Sequence, residues 1–232
     1  MNNLKKITQA YGPKIARAAF ELGAIRLNVT DPFRWVSGYR MPIYNDNRRL
    51  LASGKVRALI AEGFEAILNA LEYDPDSIAG TATAGIPHAT TLADRLGKPL
   101  SYVRSASKGH GLGNRIEGLA KGGTYENTHV LLIEDLISTG LSSTSAVEAI
   151  VAAKGQCPYT LAIFTYGFAA AEEAFGALDP KAAFHTILTY EVMLSSALKE
   201  GYISRSEAES LEAWSSDPFG WGIERGFMRE EG

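Results

Sequence analysis

A chain of 232 residues is long enough to bury a sizeable core, which excludes a minimal scaffold held by disulfides or zinc. Its 46% hydrophobic and 21% charged content is that of an ordinary globular domain, not of a disordered segment. With 23 Lys+Arg against 26 Asp+Glu the net charge is -3, so no basic field of the kind that holds nucleic acid covers the whole molecule, and any bound anion needs a local site.

The first residues, Met1 to Gly23, carry charges throughout and lack the apolar run and cleavage site of a signal peptide, so a cytoplasmic location is expected. Leu4, Ile7, Tyr11, Ile15, Ala18 and Leu22 share one helical face. Pro13 is expected to divide this segment into a short turn and a helix that starts near Pro13 and stops at Gly23. Residues 25 to 50, rich in Pro, Gly, Asn and Arg, read as short strands and turns. Val56, Leu59, Ile60, Phe64, Ile67, Leu68 and Leu71 predict a second helix.

From Ser77 onward short apolar runs alternate with helical segments, the texture of βαβ units around a parallel sheet. Strands are predicted near 77–80, 100–103, 129–134, 158–165 and 185–188, with helices near 86–97, 142–154 and 168–177. Val130 to Ile133 is apolar on both faces and should lie mid-sheet. The uncharged stretch Gly155 to Ala171 contains Gln156, Pro158 and Gly167 and falls short of a membrane span. Cys157, the one cysteine, reads as a buried small hydrophobe. The tail adds the segment Tyr190–Glu200 and a helix opened by Ser204 with Glu207 three residues on, a capping box. The fold class is therefore α/β, an open parallel sheet with helices on both faces. We read one domain over 1–232, with a small irregular N-terminal subdomain at about 1–50. Arg104 to Thr124, glycine-rich and without apolar periodicity, is expected to be a long mobile surface loop.

The strongest chemical signal is the run from Val130 through Glu134 and Asp135 to Ser138-Thr139-Gly140-Leu141-Ser142-Ser143. Ligands of open α/β sheets bind beyond the carboxyl ends of the strands. Backbone N–H groups from Ser138 to Ser142, the hydroxyls of Ser138, Thr139 and Ser142, and the positive end of the next helix converge there as a phosphate site. Glu134 and Asp135 would repel phosphate at close range and instead accept hydrogen bonds from hydroxyls. A phosphorylated sugar satisfies both halves. A solvated acidic pair before a helix cap would explain Ser142 and Ser143, but not two carboxylates following four apolar residues. A P-loop needs a lysine after its second glycine, and none follows Gly140.

This run resembles the signature of the type I phosphoribosyltransferases, which use 5-phosphoribosyl-1-diphosphate (PRPP). The resemblance implies that Glu134 and Asp135 bind the ribose hydroxyls. It also implies that Leu136, Ile137, Ser138, Thr139, Gly140, Leu141 and Ser142 form the PRPP cradle, Leu141 standing where glycine is often seen. A second cluster, Tyr102 to Gly111 with Arg115 and Ile116-Glu117-Gly118, puts Arg104, Lys108 and His110 at the root of a glycine-rich loop. A cationic loop is usually just solvated, but pyrophosphate is a polyanionic leaving group and needs positive charge beside it.

Together with Ser37-Gly38 and Pro42-Ile43-Tyr44-Asn45-Asp46-Asn47-Arg48, that cluster resembles the orotate phosphoribosyltransferases over most of residues 13 to 222. The family pattern implies PRPP contacts from Arg104, Lys108 and His110, with the last two on a closing lid, and catalytic roles for Lys108, His110 and Asp135. Ser138 would also contact orotate. Ser105 and Val36 stand where members carry lysine, leaving Arg48 or Arg115 as substitutes. Gly80-Thr81-Ala82-Thr83-Ala84-Gly85-Ile86-Pro87 would be the pyrophosphate loop, where small residues admit a ligand's oxygens.

His88, His129 and His185 lack paired ligands at metal spacing and read as structural. Magnesium is expected to arrive on PRPP or pyrophosphate rather than in a protein cage. The resemblance further implies orotate and PRPP as substrates in pyrimidine (UMP) biosynthesis and a homodimer whose lid is shared between subunits. No nucleic-acid or membrane partner is expected. Two rivals are a phosphoribosyltransferase for another base and a non-catalytic PRPP-binding regulator, which could dispense with the lid cations this chain retains.

Overall fold

A computed structural model describes residues 3–35, 37–105, 115–119 and 123–229. Helix α1 (Asn3–Glu21) runs unbroken through Pro13, contrary to the break expected there. A proline inside a helix loses one hydrogen bond, and its ring crowds the residue before it. Gly12 offers no Cβ to that crowding. It also lets the helix approach closely: a Cβ at Gly12 would lie 2.9 Å from Val192 Cγ1 and 3.2 Å from the Ile187 carbonyl oxygen. Packing against the far end of the chain therefore outweighs the local penalty. Gly23, at φ +66°, ends the segment as expected.

Two antiparallel ribbons follow, β1 (Ile25–Leu27) with β4 (Ile43–Asn45) and β2 (Phe33–Arg34) with β3 (Arg40–Met41). A 3-10 turn over Asn47–Ala52 leads into α2 (Gly54–Leu71), capped by Ser53, whose hydroxyl accepts from the Val56 N–H at 3.3 Å. Then come β5 (Ser77–Thr81), α3 (Gly85–Leu96), β6 (Leu100–Val103), β7 (Ile116–Glu117), β8 (His129–Ile137), α4 (Leu141–Ala152), β9 (Gln156–Thr165), α5 (Ala169–Gly176) and β10 (Ala183–Thr189). The chain continues through α6 (Tyr190–Lys199), α7 (Arg205–Ser216) and α8 (Gly220–Glu224). The capping box is present: Ser204 and Glu207 each accept from the other's backbone N–H.

The main sheet has the order β10-β9-β8-β5-β6-β7, parallel except for β7. Strand β7 corrects one expectation, because Ile116 and Glu117 are not irregular loop. They pair antiparallel with Val103 and Tyr102, while Arg104 donates its N–H to the Arg115 carbonyl at 2.8 Å. A two-residue strand is too short to show a period, so it needs its neighbour to exist.

Strand β8 is central, and its side chains alternate between two separate cores. Leu131 and Ile133 join the core built with α1, α2, α3 and α6. Val130 and Leu132 join the opposite one, with Ala146, Val147 and Ile150 of α4. Cys157 is buried in that second core, and burial pushes its thiol up to about 12. Along the chain β5 leads to β6 on one side, whereas β8 leads to β9 and β10 on the other. The order reverses between β5 and β8, and such a reversal opens a crevice at the carboxyl ends of the strands.

His88, on α3, is buried with neither ring nitrogen hydrogen-bonded among the described residues. Burial, aided by the Arg57 charge, holds its pKa at about 4, below the usual 6.5. A folded-state pKa below the unfolded value means that the unfolded chain takes up the proton first as pH falls. Stability should therefore decline from pH 6.5 towards 4, by on the order of 3 kcal/mol from this group. His88→Leu should remove that increment. Parallel decline of both proteins in denaturant titrations across this range would show that His88 is not its source.

Candidate active site

Strand β8 extends past the expected end at 134 to Ile137, so Asp135 as well as Glu134 lies on the strand. Consecutive strand residues face opposite sides, and this makes the two acids unequal. Glu134 is 6% exposed and turns towards α4. Its Oε1 accepts from the Thr81 hydroxyl at 2.6 Å and from the Asp135 N–H at 3.0 Å. Its Oε2 accepts from the Ser143 hydroxyl at 3.5 Å. Burial, and then the charge of Asp135, raise the Glu134 pKa above the usual carboxylate range.

Asp135 is only half-buried and opens to the other side of the strand. Asn47, whose side chain donates to the Asp135 carbonyl at 2.7 Å, pins the backbone there. Burial raises the Asp135 pKa too, against the lowering effects of hydrogen bonding with the Glu134 side chain and its own backbone, and of the Arg48 charge. Of the two carboxylates, Asp135 is the more exposed and is the one placed to meet ligand hydroxyls.

Beyond β8, Ser138 and Thr139 are half-buried while Leu141 and Ser142 are exposed. The residue capping α4 is Gly140, not a serine; its φ of +80° suits glycine, and a Cβ there would stand 3.3 Å from Ala171 Cα. The free N–H groups at the start of α4 therefore face the crevice without a side-chain cap. Across the crevice, the turn after β5 is held close by two glycines. A Cβ at Gly80 would lie 2.8 Å from Ile86 Cα, and one at Gly85 would overlap the Ile133 carbonyl and the Thr81 hydroxyl.

A cavity of about 420 Å³ opens beside this turn, lined by Ala82, Thr83, Ile86, Tyr102, Arg104 and Glu117. Arg104 Nη1 stands 3.7 Å from Glu117 Oε1 and makes no hydrogen bond among the described residues, so it retains a donor for a ligand oxygen. A larger cavity of about 740 Å³ runs along β10 and takes no lining residue from either turn.

The two candidate substitute cations separate. Arg115 donates from Nε to the Arg104 carbonyl at 3.0 Å and from Nη1 to the Ser145 carbonyl and hydroxyl at 3.1 and 3.0 Å. It is an anchor tying the β6–β7 end to α4. Arg48 is paired with Asp46 at 2.6 Å but exposed, and its charge reaches Asp135. Lys108 and His110 lie outside the described residues, as does Val36. Among the described residues no three His, Cys, Asp or Glu side chains gather as a metal site.

Asn47, Thr81 and Ser143 lie within the motifs quoted above, but no individual role for their side chains is legible in the sequence. Small polar side chains carry no periodic signal, so only their partners reveal them.

A family model described as phosphoribosyl transferase domain matches residues 46–165, which span both turns. Over 210 residues the chain is 41% identical to an orotate phosphoribosyltransferase of Listeria monocytogenes serotype 4b (strain F2365), covering 90% of this chain and 97% of that one. The chain belongs to the orotate phosphoribosyltransferase family. A member from Porphyromonas gingivalis (strain ATCC BAA-308 / W83) is 40% identical over 212 residues, 91% of this chain and 98% of that one. The crystal structure of orotate phosphoribosyltransferase from Aeropyrum pernix superposes with a TM-score of 0.64 at 27% identity, covering 82% of this chain and 99% of that one. UMP synthase of Leishmania donovani, at 24% identity, shares the fold with a TM-score of 0.71 over 88% of this chain and 42% of its own. The α/β expectation, the parallel sheet and the family resemblance agree with these matches.

Proposed function

We propose that this orotate phosphoribosyltransferase family member joins orotate to Mg-PRPP, giving orotidine 5′-phosphate and pyrophosphate, a step that feeds UMP formation. The observation that carries the reading is the pair of acids ending the central strand at the sheet's switch point, between two small-residue turns. The start of α4 receives the 5′-phosphate, and Asp135 accepts hydrogen bonds from the ribose hydroxyls. Arg104, Lys108 and His110 meet the pyrophosphate. Orotate N1 attacks C1 of the ribose on the face opposite the departing pyrophosphate, through an oxocarbenium-like transition state. Positioning and fixed charge supply most of the acceleration, and no covalent nucleophile is needed.

Magnesium comes as part of the substrate, where it neutralises charge on the phosphates. The donor set fits that role: Glu134 is engaged by the Thr81 and Ser143 hydroxyls and the Asp135 N–H, and among the described residues no third carboxylate, His or Cys joins the pair. We propose further that the protein works in the cytoplasm as a two-fold dimer with each lid closing over the other subunit's site. A fall in orotate absorbance on mixing protein, orotate, PRPP and magnesium tests the reaction. Activity with a purine and none with orotate would replace it.

Asp135→Asn should weaken PRPP about 10- to 100-fold, the usual worth of a hydrogen bond to a charged group. Free pyrophosphate has no ribose hydroxyls and should bind almost as before. Equal losses for both ligands in calorimetry would contradict the ribose assignment.

A further inference from the structure

Thr81 ends β5 at the head of the segment expected to meet pyrophosphate, but its side chain is buried and the chemistry above gives that side chain no ligand contact. Yet its hydroxyl donates to Glu134 Oε1 at 2.6 Å, the shortest of the contacts that hold that carboxylate. The other carboxylate oxygen takes the hydroxyl of Ser143, in the first turn of α4. Thr81, Glu134 and Ser143 are 4%, 6% and 1% exposed, so water has little access to compete for these bonds. One buried carboxylate thus joins the turn after β5 to the turn after β8. Gly85 lets α3 start directly against the Thr81 hydroxyl, so a displacement of that hydroxyl is passed on to the turn.

We propose that Thr81, acting through Glu134, is a positioning residue that sets the separation between the turn at 82–85 and the phosphate turn at 138–142. The inference rests on the PRPP reading. PRPP carries its pyrophosphate and its 5′-phosphate on one ribose and so must engage both turns at once. A bridging ligand senses their spacing, because engaging the second turn is intramolecular only when the geometry permits it. Each fragment needs one turn and can follow it.

Thr81→Val keeps the side-chain shape and removes the donor. It is expected to weaken Mg-PRPP on the order of tenfold, while pyrophosphate and ribose 5-phosphate each bind within about twofold of wild type. Thr81→Ser, which keeps a hydroxyl, should restore PRPP affinity. Calorimetric titration of the three ligands into the full-length chain reads this directly. Ser143→Ala cuts the other end of the tether and should give the same PRPP-selective loss, which supplies the test if Thr81→Val does not fold. Equal weakening of all three ligands, or no weakening of PRPP, would overturn the proposal. A wild-type protein that binds none of the three would instead overturn the PRPP reading beneath it.

Discussion

Gly85→Ala is expected to lower activity by about 10²-fold or more and to destabilise the fold by about 1–3 kcal/mol, the usual cost of forcing a methyl group into a filled space. The new Cβ would overlap the Ile133 carbonyl oxygen and the Thr81 hydroxyl. Ile133 belongs to the central strand, hydrogen-bonded on both sides, and cannot retreat. The start of α3 must therefore move, carrying the 82–85 turn with it and pulling Thr81 from Glu134. An ångström-scale misplacement of a positioning group is enough to cost two orders of magnitude in rate. Gly176→Ala is the control, since a Cβ there meets nothing within 4 Å and φ is ordinary. Thermal melts and steady-state rates for both variants decide the matter. A fully active Gly85→Ala protein would show that the turn's position is not critical.

Lys108→Ala should lower kcat by about 10²-fold, comparable to removing one preorganised electrostatic donor, and leave the melting temperature unchanged. Pyrophosphate gains charge as it departs, so a lost cation is felt more in the transition state than in the bound substrate. A near-wild-type kcat would remove Lys108 from the mechanism. The same variant tests the shared lid. In a mixed dimer of Lys108→Ala and Asp135→Asn, a lid that crosses to the partner leaves one site with both defects and one with neither. Random pairing makes half the dimers mixed, so about a quarter of wild-type activity should return at PRPP concentrations where both parents are nearly inactive. Doubly tagged mixed dimers with no recovered activity would show that each lid serves its own subunit.

Much of this protein was legible in the sequence because it is written locally. A central strand buried on both faces must be apolar throughout, so Val130 to Ile133 announced the middle of the sheet. A phosphate turn needs small residues before a helix, so Ser138 to Ser142 marked the candidate site, and the structure places these residues at the end of β8 and the start of α4. The same local logic failed at Pro13, where the contact of Gly12 with Val192 and Ile187 keeps α1 whole. It also failed at Ile116–Glu117, where β6 makes the strand. Adjacent acids look alike in a sequence, and only the pleat and the neighbouring elements distinguish Glu134, held by Thr81 and Ser143, from the more open Asp135. Arg115 likewise reads as a free cation until Ser145 and the Arg104 carbonyl are found around it. Periodicity and turn chemistry act over a few residues, whereas Thr81 meets Glu134 across 53 positions and Asn47 meets Asp135 across 88. Those pairings exist only once the sheet has brought the strand ends together, and they decide which side chains face the substrate and which hold the others in place.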